Sequence, residues 1–175
     1  YRRQPIGGNV DRHYKEAWEE LTAKGAPFSW SNIEIRNHMT RVYDSAPATL
    51  VDIWNMSAAH GEKDYLIYGD ERVSYEEAHL KVNCFASYLQ DLGIKHGDRV
   101  AILMRNYPEW VLTYWAIASL GAVAVGMNAW WTGPEIEFAV DDCDPRVIVC
   151  DQERMERIIP HLSTLRGEGD VHVVA

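Results

Sequence analysis

Cysteine is scarce: the chain has three, Cys84, Cys143 and Cys150. An odd number without C-x-x-C spacing excludes a disulfide framework and a zinc-finger ligand pattern. They read as reduced, mostly buried thiols of a cytoplasmic protein. Basic charge is also short. Lys and Arg total 17 against 26 Asp and Glu, a net charge of −9 over 175 residues. Nucleic acids and anionic membrane surfaces need a basic face to meet their phosphates, so the balance argues against both and reads as solubility. Glycine-rich phosphate loops are missing: there is no G-x-G-x-x-G and no Walker motif. The nearest stretch, Ser163-Thr164-Leu165-Arg166-Gly167-Glu168-Gly169, puts Glu168 where a phosphate would sit and reads as a solvated loop. Gly7-Gly8 precedes no strand. The histidines are scattered, none at metal-ligand spacing from a partner. The first residues are polar and form no apolar leader. A start at Tyr1 fits a processed or excised part of something longer.

Apolar residues are plentiful, at 47% of the chain. That is enough for one domain with a substantial core. Residues 110–134 contain no charge, a length that would cross a membrane. Gly121 and Gly126 interrupt the run, however, and Asn128 follows. A buried helix over residues 110–120 and a buried valine-rich strand account for it better.

The first 48 residues differ from the rest. Residues 11–24 read as an amphipathic helix, with Tyr14, Ala17, Trp18 and Leu21 on one face and Gly25 as its stop. Residues 27–47 read as irregular. The whole stretch is expected to be a helical extension packed on the main body. From Thr49 the signals sharpen. Thr49 and Asp52 have capping-box spacing, and His60-Gly61 ends that helix. A hairpin is expected about Gly69-Asp70. Ser74 and Glu77 form a second box before the stripe Val82, Phe85, Ala86, Leu89 and Leu92, closed by Gly93.

Strands and helices then alternate. Residues 100–104, 123–127, 147–150 and 171–174 read as strands. Pro108 opens a helix that is apolar nearly all round, and Thr132 and Glu135 cap another that runs to about Val140. A third spans residues 152–162, with Met155, Ile158, Ile159 and Leu162 on one face. Apolar strands separated by helices predict a doubly wound, mainly parallel α/β sheet over residues 49–175, with helices on both faces.

Such sheets bind ligands beyond the carboxyl ends of their strands. Asn106 and Asn128 each stand just past a strand, where they either turn the backbone or shape the floor of a site. Trp130 and Trp131 either line a cavity or pack beneath the next helix. Asn106, Asn128 and Trp131 are the candidates for a substrate-cavity wall. Asp141, Asp142 and Asp144 read as a solvated turn before Pro145, and Glu76 and Glu77 as capping acids. No catalytic residue and no metal ligand is assigned.

Four stretches, in order and at consistent spacing, resemble the amino-terminal part of adenylate-forming enzymes, specifically fatty-acyl-CoA synthetases. They are Tyr68-Gly69-Asp70-Glu71-Arg72-Val73-Ser74-Tyr75-Glu76-Glu77, then Leu92-Gly93-Ile94-Lys95-His96-Gly97-Asp98-Arg99-Val100-Ala101-Ile102, Arg105-Asn106-Tyr107-Pro108-Glu109-Trp110, and Leu120-Gly121-Ala122-Val123-Ala124-Val125-Gly126-Met127-Asn128-Ala129-Trp130-Trp131. Gly126-Met127-Asn128 departs from the family's P-x-N, which loosens the local backbone. The resemblance implies ATP-dependent activation of a carboxylate to an acyl-adenylate, then a thioester with coenzyme A, with Mg2+ on the phosphates. The family's serine/threonine/glycine-rich phosphate loop, its acids for ribose and metal and its catalytic lysine match no position here. The chain is therefore expected to be an inactive first subdomain of a cytoplasmic ligase, with peripheral membrane association of the parent left open. An aryl-CoA ligase or another adenylate-forming parent is the alternative within the class. A stand-alone, non-catalytic binding module is the alternative outside it. For the first 48 residues, a homodimer contact stands beside packing on the chain's own body.

Overall fold

The computed structural model describes residues 9–165 and 171–175. Gly7-Gly8 and Arg166 to Gly169 lie outside the described residues. The chain divides into two compact units, Tyr1–Ala48 and Thr49–Ala175.

In the first unit, helix α1 (Asn9–Thr22) starts and stops two residues earlier than the sequence predicts. Gly25, at φ +84°, turns the chain after it. Within this unit Tyr14, Trp18 and Leu21 of the predicted apolar stripe are exposed. Residues 27–47 are not irregular. They contain an antiparallel hairpin of β1 (Trp30–Ile35) and β2 (His38–Tyr43). Arg36 and Asn37, at φ 49° and 64°, make its turn. Two successive positive φ values suit the twist of a tight hairpin, and Asn tolerates that region. The pairing Ser31↔Val42, Ile33↔Thr40 and Ile35↔His38 puts the β-branched residues on one face. Polar neighbours break the apolar alternation, and the turn lacks the usual Asn-Gly pair, so the pattern is hard to see in the sequence.

The second unit opens as expected. Thr49 caps α2 (Leu50–Ser57), and its capping box with Asp52 is formed. Strands β3 (Asp64–Tyr68) and β4 (Glu71–Ser74) pair about Gly69-Asp70. Ser74 and Glu77 complete the box of α3 (Tyr75–Asp91). Past Leu92, Gly93 adopts φ +85°, and the Ile94 N–H closes the helix on the Leu89 carbonyl. Strands β5 (Arg99–Leu103), β6 (Val123–Gly126), β7 (Val147–Cys150) and β8 (His172–Val174) form one parallel sheet in the order β6-β5-β7-β8.

Side-chain alternation divides this sheet between two cores. Val100, Ile102, Val147 and Val149 face α3, α4 (Pro108–Ser119) and Trp54. Ala101, Leu103, Ile148 and Cys150 face α5 (Gly133–Cys143) and α6 (Gln152–Ile158). Helices therefore cover both faces, as a doubly wound sheet requires. The first core is aromatic. Trp54 stacks on Trp115 at 5.0 Å and on His79 at 3.9 Å between centroids, and the Trp115 indole donates to the Tyr65 hydroxyl at 2.7 Å. In α4 only Glu109 is exposed, in keeping with its nearly all-round apolar sequence.

Two expectations need correction here. The helix over residues 152–162 ends at Ile158 and tightens into a 3-10 turn, Ile159–His161. Pro160 lacks the N–H that would continue the α-helical ladder. Ile159 and Leu162 consequently point to solvent, while Arg154, Ile158 and Leu165 are buried. The cysteines are not mostly buried either. Cys150 is buried, Cys143 half-buried and Cys84 exposed on α3.

Candidate functional site

The strand order β6-β5-β7-β8 places a topological switch between β5 and β7. From β5 the chain steps out to β6, then crosses back to the other side of β5. The helices that follow the two diverging strands leave a crevice at their carboxyl ends, the usual ligand position in open α/β sheets.

One carboxylate stitches this crevice together. Asp151, directly after β7, caps α6 by accepting the Arg154 N–H at 2.9 Å. Its other oxygen accepts the backbone N–H of Arg105, just past β5, at 3.1 Å. The Arg105 guanidinium makes no hydrogen bond or ion pair among the described residues. It stands 5.3 Å from the Trp130 ring and 6.0 Å from the Tyr107 ring. Trp130, past β6, is 66% exposed, and the Arg154 guanidinium also approaches its ring, at 5.4 Å. Two guanidinium groups flank one indole; the buried Arg154 is paired with Glu153 and Asp151, and Arg105 supplies the positive charge of this aromatic platform in an acidic chain. It can hold a planar or anionic group. Among the described residues no trio of His, Cys, Asp or Glu is placed to hold a metal.

The predicted wall residues occupy different places. Asn128 turns the backbone: its Oδ1 accepts the Trp130 N–H at 2.9 Å. Asn106 is exposed beside Arg105. Trp131 lines a groove of about 480 Å³ between β6 and α5, with Val125, Met127, Phe138 and Ala139. Phe138 is 75% exposed there. Glu135 and Asp142 rim the groove. The backbone and hydroxyl of Thr132 hold the Glu135 carboxyl below its usual range. Of the three residues, Trp131 lines this groove and Asn106 and Asn128 do not. Asp141 and Asp142 are exposed near the end of α5, and Asp144 adopts a left-handed cap and pairs with Arg99 at 3.0 Å.

Arg105, Asp151 and Arg154 were not singled out by the sequence, whereas Trp130 was, beside Trp131, as a residue that either lines a cavity or packs beneath the next helix. Asp151 had a legible signal, a capping acid directly after an apolar strand. Arg154 had none, because it occupies what reads as the polar face of a short helix.

A family model for AMP-binding enzymes matches residues 53–175. The long-chain-fatty-acid–CoA ligase FadD13 of Mycobacterium tuberculosis is 39% identical over 80 residues, covering 46% of this chain and 16% of that protein. The crystal structure of the N-terminal domain of FACL13 from Mycobacterium tuberculosis has a TM-score of 0.67 at 26% identity, covering 73% of this chain and 34% of that one. The anthranilate CoA ligase AuaEII, in complex with anthranoyl-AMP, has a TM-score of 0.63 at 30% identity, covering 66% and 22%. The chain spans at most about a fifth of the length of the curated relatives it matches. No helix among the described residues is long and apolar enough to cross a membrane. With more than half of its length matched by the family model, the chain belongs to the AMP-binding enzyme family.

Proposed function

We propose that the chain is the first α/β portion of an ATP-dependent, AMP-forming acyl-CoA synthetase acting in the cytoplasm. In that reaction a carboxylate oxygen attacks the α-phosphorus of ATP and the α–β anhydride bond breaks, releasing pyrophosphate. The coenzyme A thiol then attacks the acyl carbonyl, and AMP leaves. Every reactant is an anion, so the protein must offer fixed cations where charge gathers. The observation that carries the reading is the match over residues 53–175, among relatives that are CoA ligases. The Arg105–Trp130 platform supports it, since it sets a guanidinium against an indole at the sheet's switch point.

On this reading the platform meets the anionic co-substrates, Trp131 contributes to an apolar wall, and Asn106 and Asn128 shape the floor between them. Residues 1–48 are an extension of the same protein. The phosphate loop and catalytic lysine are supplied by other sequence, so the chain alone is inactive. An aryl acid as substrate is the second reading, favoured by the similarity to an anthranilate CoA ligase.

Carboxylate-dependent exchange of pyrophosphate into ATP tests this. The chain alone should show none, and clear exchange would overturn the inactive-portion reading. A full-length ligase containing this segment should consume ATP only with an acid and coenzyme A. Inactivity with every aliphatic and aromatic acid would favour a non-catalytic binding module instead.

A further inference from the structure

The backbone that carries Trp130 is held from beneath by a single buried side chain. Arg154 is 0% exposed. Its Nε donates to the Ala129 carbonyl at 2.8 Å, and its Nη1 donates to Glu153 at 2.8 Å and more loosely to Asp151 at 3.4 Å. Arg157 adds a second bond to the Ala129 carbonyl at 3.1 Å and a longer one to the Trp131 carbonyl at 3.4 Å. The loop after β6 is thereby tied to the first turn of α6, on the far side of β5.

The remaining nitrogen is informative. Arg154 Nη2 is buried and has no hydrogen-bond partner among the described residues. Burying an unpaired N–H is costly, and a hydrophobic side chain of similar volume would fill the space without that cost. A fully buried arginine that fills space alone is therefore a poor solution for stability. The neighbour that compensates is the Trp130 ring, whose π face lies 5.4 Å from the guanidinium carbon. A planar guanidinium can donate in its plane to a carbonyl and a carboxylate while offering its flat side or edge to an indole. An ammonium cannot match that fork.

We infer that Arg154 is a positioning residue: it fixes the Ala129 carbonyl and the Trp130 indole so that the ring and Arg105 stand as a preset platform at the switch between β5 and β7. What the platform binds rests on the proposed ligase function. The positioning itself does not, and it is read without any ligand.

The test is 19F NMR of the chain labelled with 5-fluorotryptophan, with the Trp130 resonance assigned by Trp130→Phe. In Arg154→Met the Trp130 signal moves towards that of free 5-fluorotryptophan, while Trp54 and Trp115, in the core on the other sheet face, keep theirs. Arg154→Lys does not restore the wild-type position. Arg157→Met, which removes the second bond to Ala129, the longer one to Trp131 and the pair with Glu153, shifts Trp130 less. An unchanged Trp130 signal in folded Arg154→Met overturns the inference. If that variant does not fold, so that all its resonances collapse, folded Arg154→Lys decides: a shifted Trp130 supports the inference and an unshifted one overturns it. Because no nucleotide is present, these outcomes are independent of ATP–pyrophosphate exchange.

Discussion

The side chain of Asp151 accepts the main-chain N–H of Arg105 at 3.1 Å, joining the ends of two neighbouring parallel strands, β5 and β7. The same carboxylate caps α6 and faces the buried Arg154. One acid therefore serves a helix end, a strand end and a buried cation.

Replacing Asp151 by Ala should cost about 2–4 kcal/mol, the sum of a lost cap and a weakened partner for a buried cation. Asp151→Asn should cost less, because its amide oxygen still caps. Urea unfolding midpoints measure both. A loss in Asp151→Ala below about 0.5 kcal/mol, within the range of ordinary surface changes, would show that the carboxylate is not structural.

A side chain at Gly133 would displace the half-buried His161 imidazole. A Cβ there would overlap Nε2 of His161 and lie under 3 Å from two of its ring carbons. Gly133→Ala should destabilise by about 1 kcal/mol, because the His161 imidazole must swing away from its Glu137 partner. The double variant with His161→Ala should recover most of that, giving a large coupling in a double-mutant cycle. Simple additivity would mean the two residues do not touch.

His79, stacked on Trp54 and bonded to Ser57 at 3.0 Å, is held below its ordinary value by desolvation. A depressed folded-state value means that the unfolded chain takes up the proton first. The contribution is thus complete above pH 6.5, the ordinary histidine value, and is lost as pH falls through the folded value. Stability followed from pH 7.5 to 5 should drop more steeply in the wild type than in His79→Gln. Parallel curves would remove His79 from the account.

The cysteines should alkylate in order of exposure. Cys84 is open to solvent, Cys143 half-buried, and Cys150 buried with its thiol pushed up to about 11 by burial. Iodoacetamide at mildly alkaline pH, read by mass spectrometry, should label Cys84 first and Cys150 only on unfolding. Early labelling of Cys150 would mean that β7 opens locally.

Much of the second unit was legible because local and tertiary preferences agree there. Three capping boxes, at Thr49, Ser74 and Thr132, form as spaced. The apolar runs at β5 and β7 are continuous because both faces of each strand are covered. Legibility failed where side-chain type and destination disagree. The β1–β2 hairpin carries Ser, Asn, Glu and Arg among its apolar residues, so no alternation stands out. Arg154 belongs by type on a polar face, and only the distant Ala129 carbonyl and Trp130 ring account for its burial. The platform residues come from the ends of three strands, and no local window of sequence brings them together.

Strand β5 has consequences for how the second unit comes apart. Its residues from Val100 to Leu103 are fully buried, and they feed alternately into an aromatic core and an aliphatic one. Slipping by one residue would exchange the two populations at once, so the strand has one workable register. β6 and β8 can fray from the sides of the sheet, but β5 exchanges its amide protons only when both cores dissolve together. Its exchange rate is a direct gauge of global unfolding, and the outer strands report everything milder.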